Sequence, residues 1–186
     1  MEQLAGRLST DRIAGIKMMN KFIFKLYWAL LLALSTNCAL AAPETRPLLR
    51  GSYQKIIAAH AGKPFIVALW SLSCTHCGAD LEIFGRLAKK YAAFNLVLIS
   101  TDTPEQEAII ARTLKRYDLG LTAQKRLAKI ESWVFADTYT ERLHFEVDAQ
   151  WYGELPRTYF YDANGKAAAI SGVLNEAQTE RWLRGS

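Results

Sequence analysis

Phe65-Ile66-Val67-Ala68-Leu69-Trp70-Ser71-Leu72-Ser73-Cys74-Thr75-His76-Cys77, running on into Gly78-Ala79-Asp80-Leu81-Glu82-Ile83-Phe84, is the stretch that decides the fold. Its first six residues are apolar without a break, the pattern of a strand covered on both faces rather than one with a wet side. From Cys74 to Tyr91 the apolar residues Leu81, Phe84, Leu87, Ala88 and Tyr91 return at helical spacing, so a helix is expected there. A strand that turns into a helix through cysteines at i and i+3 places the first thiol at a helix N-terminus. Unpaired N–H groups and the helix dipole favour a thiolate at that place. This is the chemistry of thiol–disulfide exchange.

Outward from that point, Asn95 to Ser100 reads as a second buried strand and Pro104 to Tyr117 as a second helix, with Pro104 in its first turn and Glu105 and Glu107 near its positive end. Strand, helix, strand, helix of these lengths is a βαβ unit with a parallel core. Upstream, Tyr53 to His60 reads as a short helix ended by Gly62-Lys63-Pro64. Downstream, Thr122 to Glu131 looks helical, Trp133 to Phe135 extended, and Thr138 to Leu143 a short helix ahead of His144 to Val147. Arg157 to Tyr161 is then a strand, Asp162 to Gly165 a turn, Lys166 to Ile170 its antiparallel partner, and Asn175 to Leu183 a capped helix. The expected fold class is α/β: a mixed central sheet, with a parallel βαβ unit plus a C-terminal β-hairpin, flanked by helices on both faces.

The N-terminus has a different character. Lys17, Lys21 and Lys25 precede an apolar run from Leu26 to Leu34, and Ala39-Leu40-Ala41 follows. These are the three parts of a secretory signal peptide, so residues 1–41 are expected to be an N-terminal extension and signal cleaved near Ala41. The alternative is an uncleaved membrane anchor, but the apolar run falls short of the roughly 20 residues that span a bilayer. A lipoprotein reading through Cys38 lacks the small residues wanted before it, and Met18 or Met19 is an alternative translation start. Residues 42–50, with Pro43 and Pro47, read as a loose lead-in, and 51–186 as one domain.

Cleavage leaves Cys74 and Cys77 as the only cysteines, with 18 basic and 16 acidic residues, a formal net of +2. So short a disulfide loop stabilises little, and an exported compartment permits disulfides, so a redox role is expected over a structural one. No basic stripe interleaved with aromatics points to nucleic acid.

The segments Val67 to Cys77 and Glu154-Leu155-Pro156-Arg157-Thr158-Tyr159-Phe160-Tyr161-Asp162-Ala163-Asn164-Gly165-Lys166 resemble the two signatures of thioredoxin-fold proteins, specifically the exported TlpA/ResA-like branch. The resemblance covers roughly residues 50 to 185 and implies a thioredoxin-like fold and a thiol–disulfide oxidoreductase. It implies Cys74 as attacking thiolate, Cys77 as resolving thiol, and Pro156 as a cis-proline facing the pair. It further implies that the backbone of Leu155 receives an extended client segment, with no cofactor beyond the Cys74/Cys77 disulfide. Thr75 and Trp151 are the remaining substrate-contact candidates; for Trp151-Tyr152 an aromatic wall beside the site competes with plain core packing. The implied partners are client proteins with disulfides or thiols and a membrane electron donor, the protein acting as a periplasmic or otherwise exported monomer. Clients in the resembling family include apocytochromes c and copper-site proteins.

Two departures stand out. Ala68 lies six positions before Cys74, where thioredoxin places a buried acid that helps deprotonate the resolving cysteine, so another group or water must take that proton. Ser73 replaces the tryptophan usual before the first cysteine. His76 either stabilises the Cys74 thiolate, raising the potential as in the oxidant DsbA with its Cys-x-His-Cys motif, or is a solvated surface histidine. Thr75 in place of DsbA's proline, and no long helical insertion after the motif, favour a reductant. The alternatives are a DsbA-like oxidant and a Sco-like copper chaperone, whose C-x-x-x-C spacing differs from the one here. His60 and His144 as metal ligands compete with surface or packing roles, and no metal site is expected. The peroxiredoxin pattern is missing. Trp70 and Trp133 read as core, and the insertion between Leu119 and Gly153 carries no derivable function.

Overall fold

The computed structural model describes residues 45–91, 93–120 and 129–186. The expected signal segment and residues 122–128 of the helix expected over Thr122 to Glu131 lie outside the described residues. Six strands form one sheet: β1 (Arg46–Leu48), β2 (Phe65–Trp70), β3 (Asn95–Ser100), β4 (Lys129–Phe135), β5 (Arg157–Tyr161) and β6 (Ala167–Ser171). They lie side by side in the order β1-β4-β3-β2-β5-β6. β1, β4, β3 and β2 run parallel to one another, whereas β5 is antiparallel to both β2 and β6. Five helices complete the described fold: α1 (Ser52–Ala59), α2 (Cys77–Lys90), α3 (Glu107–Arg116), α4 (Thr140–Val147) and α5 (Glu176–Gly185). The expected mixed sheet of a parallel unit joined to an antiparallel hairpin is the one observed.

Side chains alternate across each strand, so a strand buried on both faces must feed two cores. Ile66, Ala68 and Trp70 of β2 join Leu96 and Leu98 of β3 against Leu81, Phe84 and Leu87 of α2 and Ile110 and Leu114 of α3. Phe65, Val67 and Leu69 face the other way with Val97 and Ile99, against Tyr53 and Ile56 of α1 and Leu143 and Val147 of α4. The alternation thus explains both the continuous apolar run and the helices on two faces.

Several boundaries differ from the sequence reading. The lead-in contains β1, whose carbonyl and amide groups pair with β4 from Trp133 to Phe135. Lys129 to Glu131, expected helical, belong to β4, because Asn95 to Val97 of β3 pair along them and that tertiary partner overrides local propensity. The segment between Leu119 and Gly153 is therefore part of the sheet and its cover, through β4 and α4. α4 takes in His144 to Val147, and a 3₁₀ turn over Pro104–Gln106 precedes α3. Trp133 is half-buried rather than core, with the Arg46 guanidinium 5.4 Å above its ring.

α2 and the end of α3 meet at backbone distance. A Cβ built on Gly85 would lie 2.2 Å from the Tyr117 carbonyl oxygen, whereas one on Gly78 would meet only the Tyr117 hydroxyl, at 2.9 Å. The Gly85→Ala variant is expected to lose about 1–3 kcal/mol of stability to overpacking, despite alanine's better helix propensity. Urea unfolding checks this: an unchanged midpoint would contradict the close approach of the two helices.

Candidate functional site

β2 delivers its C-terminal residue Trp70 to the edge of the core, and the chain then crosses to α2 through Ser71 to His76. That crossing is tied down by its own polar groups. The Ser73 N–H donates to Ser71 Oγ (3.2 Å), the Ser71 and Ser73 hydroxyls lie 2.9 Å apart, and the Cys74 N–H donates to the Ser71 carbonyl (3.3 Å). The Leu72 N–H donates to Asp102 Oδ2 (2.8 Å), just beyond β3. The Thr101 N–H, donating to the Trp70 carbonyl (2.9 Å), joins the ends of β2 and β3.

α2 begins at Cys77 rather than at Cys74, with His76 as N-cap residue making no side-chain cap. Cys74 stands in the preceding turn, and its Sγ accepts the Cys77 N–H at 3.2 Å. The sulfur thus occupies the place of a capping oxygen, on one of the orphan donors of the first turn. This explains the later helix start: a residue whose side chain caps the helix does not itself lie in it. The two cysteines form a disulfide. Cys77 is 1 % exposed, Cys74 is half-buried, and Thr75 and His76 are exposed.

The peptide bond between Leu155 and Pro156 is cis. The β2–β5 ladder ends with Leu69 opposite Arg157, so Pro156 precedes β5 at the same end of the sheet at which β2 gives way to the cysteine turn. Pro156 is buried, and its carbonyl accepts the Gly172 N–H (2.9 Å). Among the described residues no hydrogen bond engages the Leu155 backbone. The cysteines and the cis bond therefore share one end of the sheet, beyond the C-terminal ends of the parallel strands.

Trp151 is 4 % exposed and donates its indole N–H to the Glu154 carbonyl (2.9 Å), so it braces this loop from within; the outward aromatic is Tyr152, 94 % exposed. Arg157 holds the loop to the sheet, donating to Asp148 Oδ2 (3.0 Å), Glu154 Oε1 (3.4 Å) and Ser171 Oγ. Burial pushes the Tyr159 phenol up to about 12, so it stays protonated and donates to Asp148 Oδ2 at 3.0 Å.

Asp80 escaped the sequence reading. It is 3 % exposed, one helical turn beyond Cys77 on the same face of α2. Its Oδ1 accepts the Leu174 N–H (2.8 Å), while Oδ2 is buried without a partner. Desolvation raises its carboxyl to about 6, against the opposing pull of the Leu174 N–H. The available signal was an acid three residues after the second cysteine, on the side of the helix that carries Leu81, Phe84 and Leu87. His60 and His144 pack instead of gathering at the thiols. His60 stacks on Phe65 (centroids 4.5 Å apart), and His144 lies between Phe135 and Trp151 (5.4 and 4.6 Å). Among the described residues no group of three His, Cys, Asp or Glu side chains could hold a metal, and no helix is long and apolar enough to cross a membrane.

A thioredoxin-like fold with a C-x-x-C disulfide before the first turn of its central helix is the class these features define. Among solved structures, the chain is similar to a secreted Mycobacterium tuberculosis disulfide oxidoreductase homologous to Escherichia coli DsbE, with 16 % identity over 69 % of this chain and 86 % of that one, and a TM-score of 0.51. It is also similar to a DsbF homologue from Corynebacterium diphtheriae, with 10 % identity over 70 % and 76 % of the two chains and a TM-score of 0.53. No family model matches the chain, and no curated protein does.

Because Asp80 binds its proton more tightly folded than unfolded, where a carboxyl titrates near 4, its effect on stability has a definite sign. Folding is favoured while the group is protonated, and that advantage is lost as pH rises from about 4 through about 6. Urea unfolding of the oxidised protein and of Asp80→Asn is expected to show the native chain losing ground to the variant between pH 4 and pH 7. An equal gap at both pH values would contradict a raised Asp80.

Proposed function

We propose that this protein is a thiol–disulfide oxidoreductase that reduces disulfides in client proteins. The observation that carries the reading is the Cys74–Cys77 disulfide at the start of α2, with one sulfur accepting a helix N–H and the other buried on the helix face that carries Asp80. In the reduced protein, the Cys74 thiolate attacks one sulfur of a client disulfide, forming a mixed disulfide and releasing the other client sulfur as a thiolate. Cys77 then gives its proton to Asp80 and attacks Cys74 Sγ. The Cys74–Cys77 bond forms, the mixed disulfide breaks, and the second client sulfur leaves and takes up the proton.

Asp80 suits that role because its carboxyl, at about 6, is ionised near neutral pH yet basic enough to accept a proton. It supplies the group that the apolar Ala68 position does not. The open Leu155 backbone receives an extended client segment next to the disulfide by strand addition. Thr75 and His76, exposed between the cysteines, meet the client directly. Pro156 fixes where the Leu155 backbone stands.

The reductant direction is favoured by the layout after the motif: α2 ends at Lys90 and β3 begins at Asn95, leaving no room for the helical insertion of a DsbA-like oxidant. The proposed setting is an exported compartment, reached through the N-terminal signal, with a membrane donor renewing the dithiol of a monomeric protein. Cytochrome c and copper-centre maturation are the client classes that the family resemblance offers.

Cys77→Ser, incubated reduced with a disulfide client, is expected to accumulate mixed disulfides through Cys74, and Cys74→Ser to form none; equal turnover in both would refute the assignment. Asp80→Asn is expected to slow resolution of the mixed disulfide about a hundredfold. The native rate should fall below about pH 6 as Asp80 takes up its proton, and the variant should lack that step. Stopped-flow decay of a mixed disulfide across pH measures both, and an unchanged native-like profile in the variant would remove Asp80 from the mechanism.

A further inference from the structure

Beneath the active-site loop lies a second acid with a different position. Asp102 follows β3 by two residues, and one of its oxygens, Oδ2, accepts both the Leu72 N–H (2.8 Å) and the Ser100 hydroxyl (2.6 Å). Its own N–H donates to Ser100 Oγ (3.1 Å), and Ser100 is fully buried, so the carboxylate is fixed from two directions. Leu72 is two residues before Cys74, and the Cys74 N–H donates to the Ser71 carbonyl, so the charge is pinned to the loop that carries the sulfur. Both donors to Oδ2 are neutral. Among the described residues no cation pairs with Asp102, so its charge is left uncompensated.

Resting on the exchange reading above, we propose that Asp102 is a positioning residue that also sets the redox balance of the cysteine pair, its anchored negative charge opposing the Cys74 thiolate and making the protein a stronger reductant. The balance against glutathione shows why. The Cys74–Cys77 disulfide and two glutathione thiols give glutathione disulfide, the Cys77 thiol, the Cys74 thiolate and one proton. Charge at Cys74 appears only on the reduced side, so an anion held nearby penalises that side alone. The N-terminus of α2 pulls the other way, favouring the thiolate. Asp102 offsets that pull.

The Asp102→Asn variant separates charge from position. Its side-chain oxygen still accepts from Leu72 and Ser100, but the charge is gone. Equilibration with glutathione buffers is expected to shift about three- to tenfold toward the reduced protein, the range for one charge in a partly solvated site. The Cys74 thiol, followed by thiolate absorbance, is expected to titrate lower than in the native protein. Asp102→Ala, which also loses the acceptor, should in addition lower stability in urea. A purely structural role predicts a native equilibrium and titration for Asp102→Asn with a change in Asp102→Ala alone, and that result would overturn the proposal. If the native protein does not exchange with glutathione at all, the oxidoreductase reading fails and takes this inference with it; exchange with an unaltered equilibrium in Asp102→Asn overturns this inference only.

Discussion

The pairing of β2 on both of its edges is the constraint on which the rest of this structure depends. A parallel partner along Ile66 to Trp70 and an antiparallel one along Phe65 to Leu69 hold the strand on both edges, and its two faces each feed a core. The strand has no freedom left to shift register, since a slip of one residue would turn Phe65, Val67 and Leu69 into the space packed for Ile66, Ala68 and Trp70. Whatever leaves its C-terminal end is placed by the sheet rather than by the loop. The cysteine turn, the cis bond before β5 and the acid after β3 come from distant parts of the chain, and the strand ladder brings all three to one end.

Burial at that end is uneven, and the unevenness has chemical content. One sulfur is shut into the core and the other faces a helix start, while two carboxylates stand in contrasting settings. Asp80 has an oxygen with no partner in an apolar surround, which disfavours its charged form. Asp102 has one oxygen that accepts from two neutral donors, at the margin of the site. Two acids at one end of the sheet thus differ by environment alone: one keeps a dry, unpartnered oxygen and the other holds the loop.

The central strands and the cysteine turn were legible in the sequence because their signals are local. Phe65 to Trp70 and Asn95 to Ser100 match the observed strands residue for residue, and Asn175 caps α5 through a hydrogen bond from the Gln178 N–H (3.1 Å). Elements that exist only through a partner were not. β1 is three residues long and extended because β4 lies beside it, and Lys129 to Glu131 have no strand-like pattern of their own. The same division runs through the site. The cysteines announce themselves by spacing, whereas Asp80 and Asp102 are ordinary acids until packing shows which one is dry and which one holds the loop. For Trp151 the sequence left a contact surface and plain packing both open, and the bond from its indole to the Glu154 carbonyl shows it as an internal brace.

The contact between Gly85 and the Tyr117 carbonyl bears on how motion can spread. Two helices that touch through main-chain atoms have no side chains between them to yield, so they behave as one stiff plate. A rearrangement at the sulfur atoms cannot be absorbed by sliding α2 alone. It either carries α3 with it or is taken up in the six residues from Ser71 to His76, which the Cys74–Cys77 bond and a few single hydrogen bonds hold. A change at the sulfur atoms therefore meets a main-chain wall on one side and a hydrogen-bonded turn on the other.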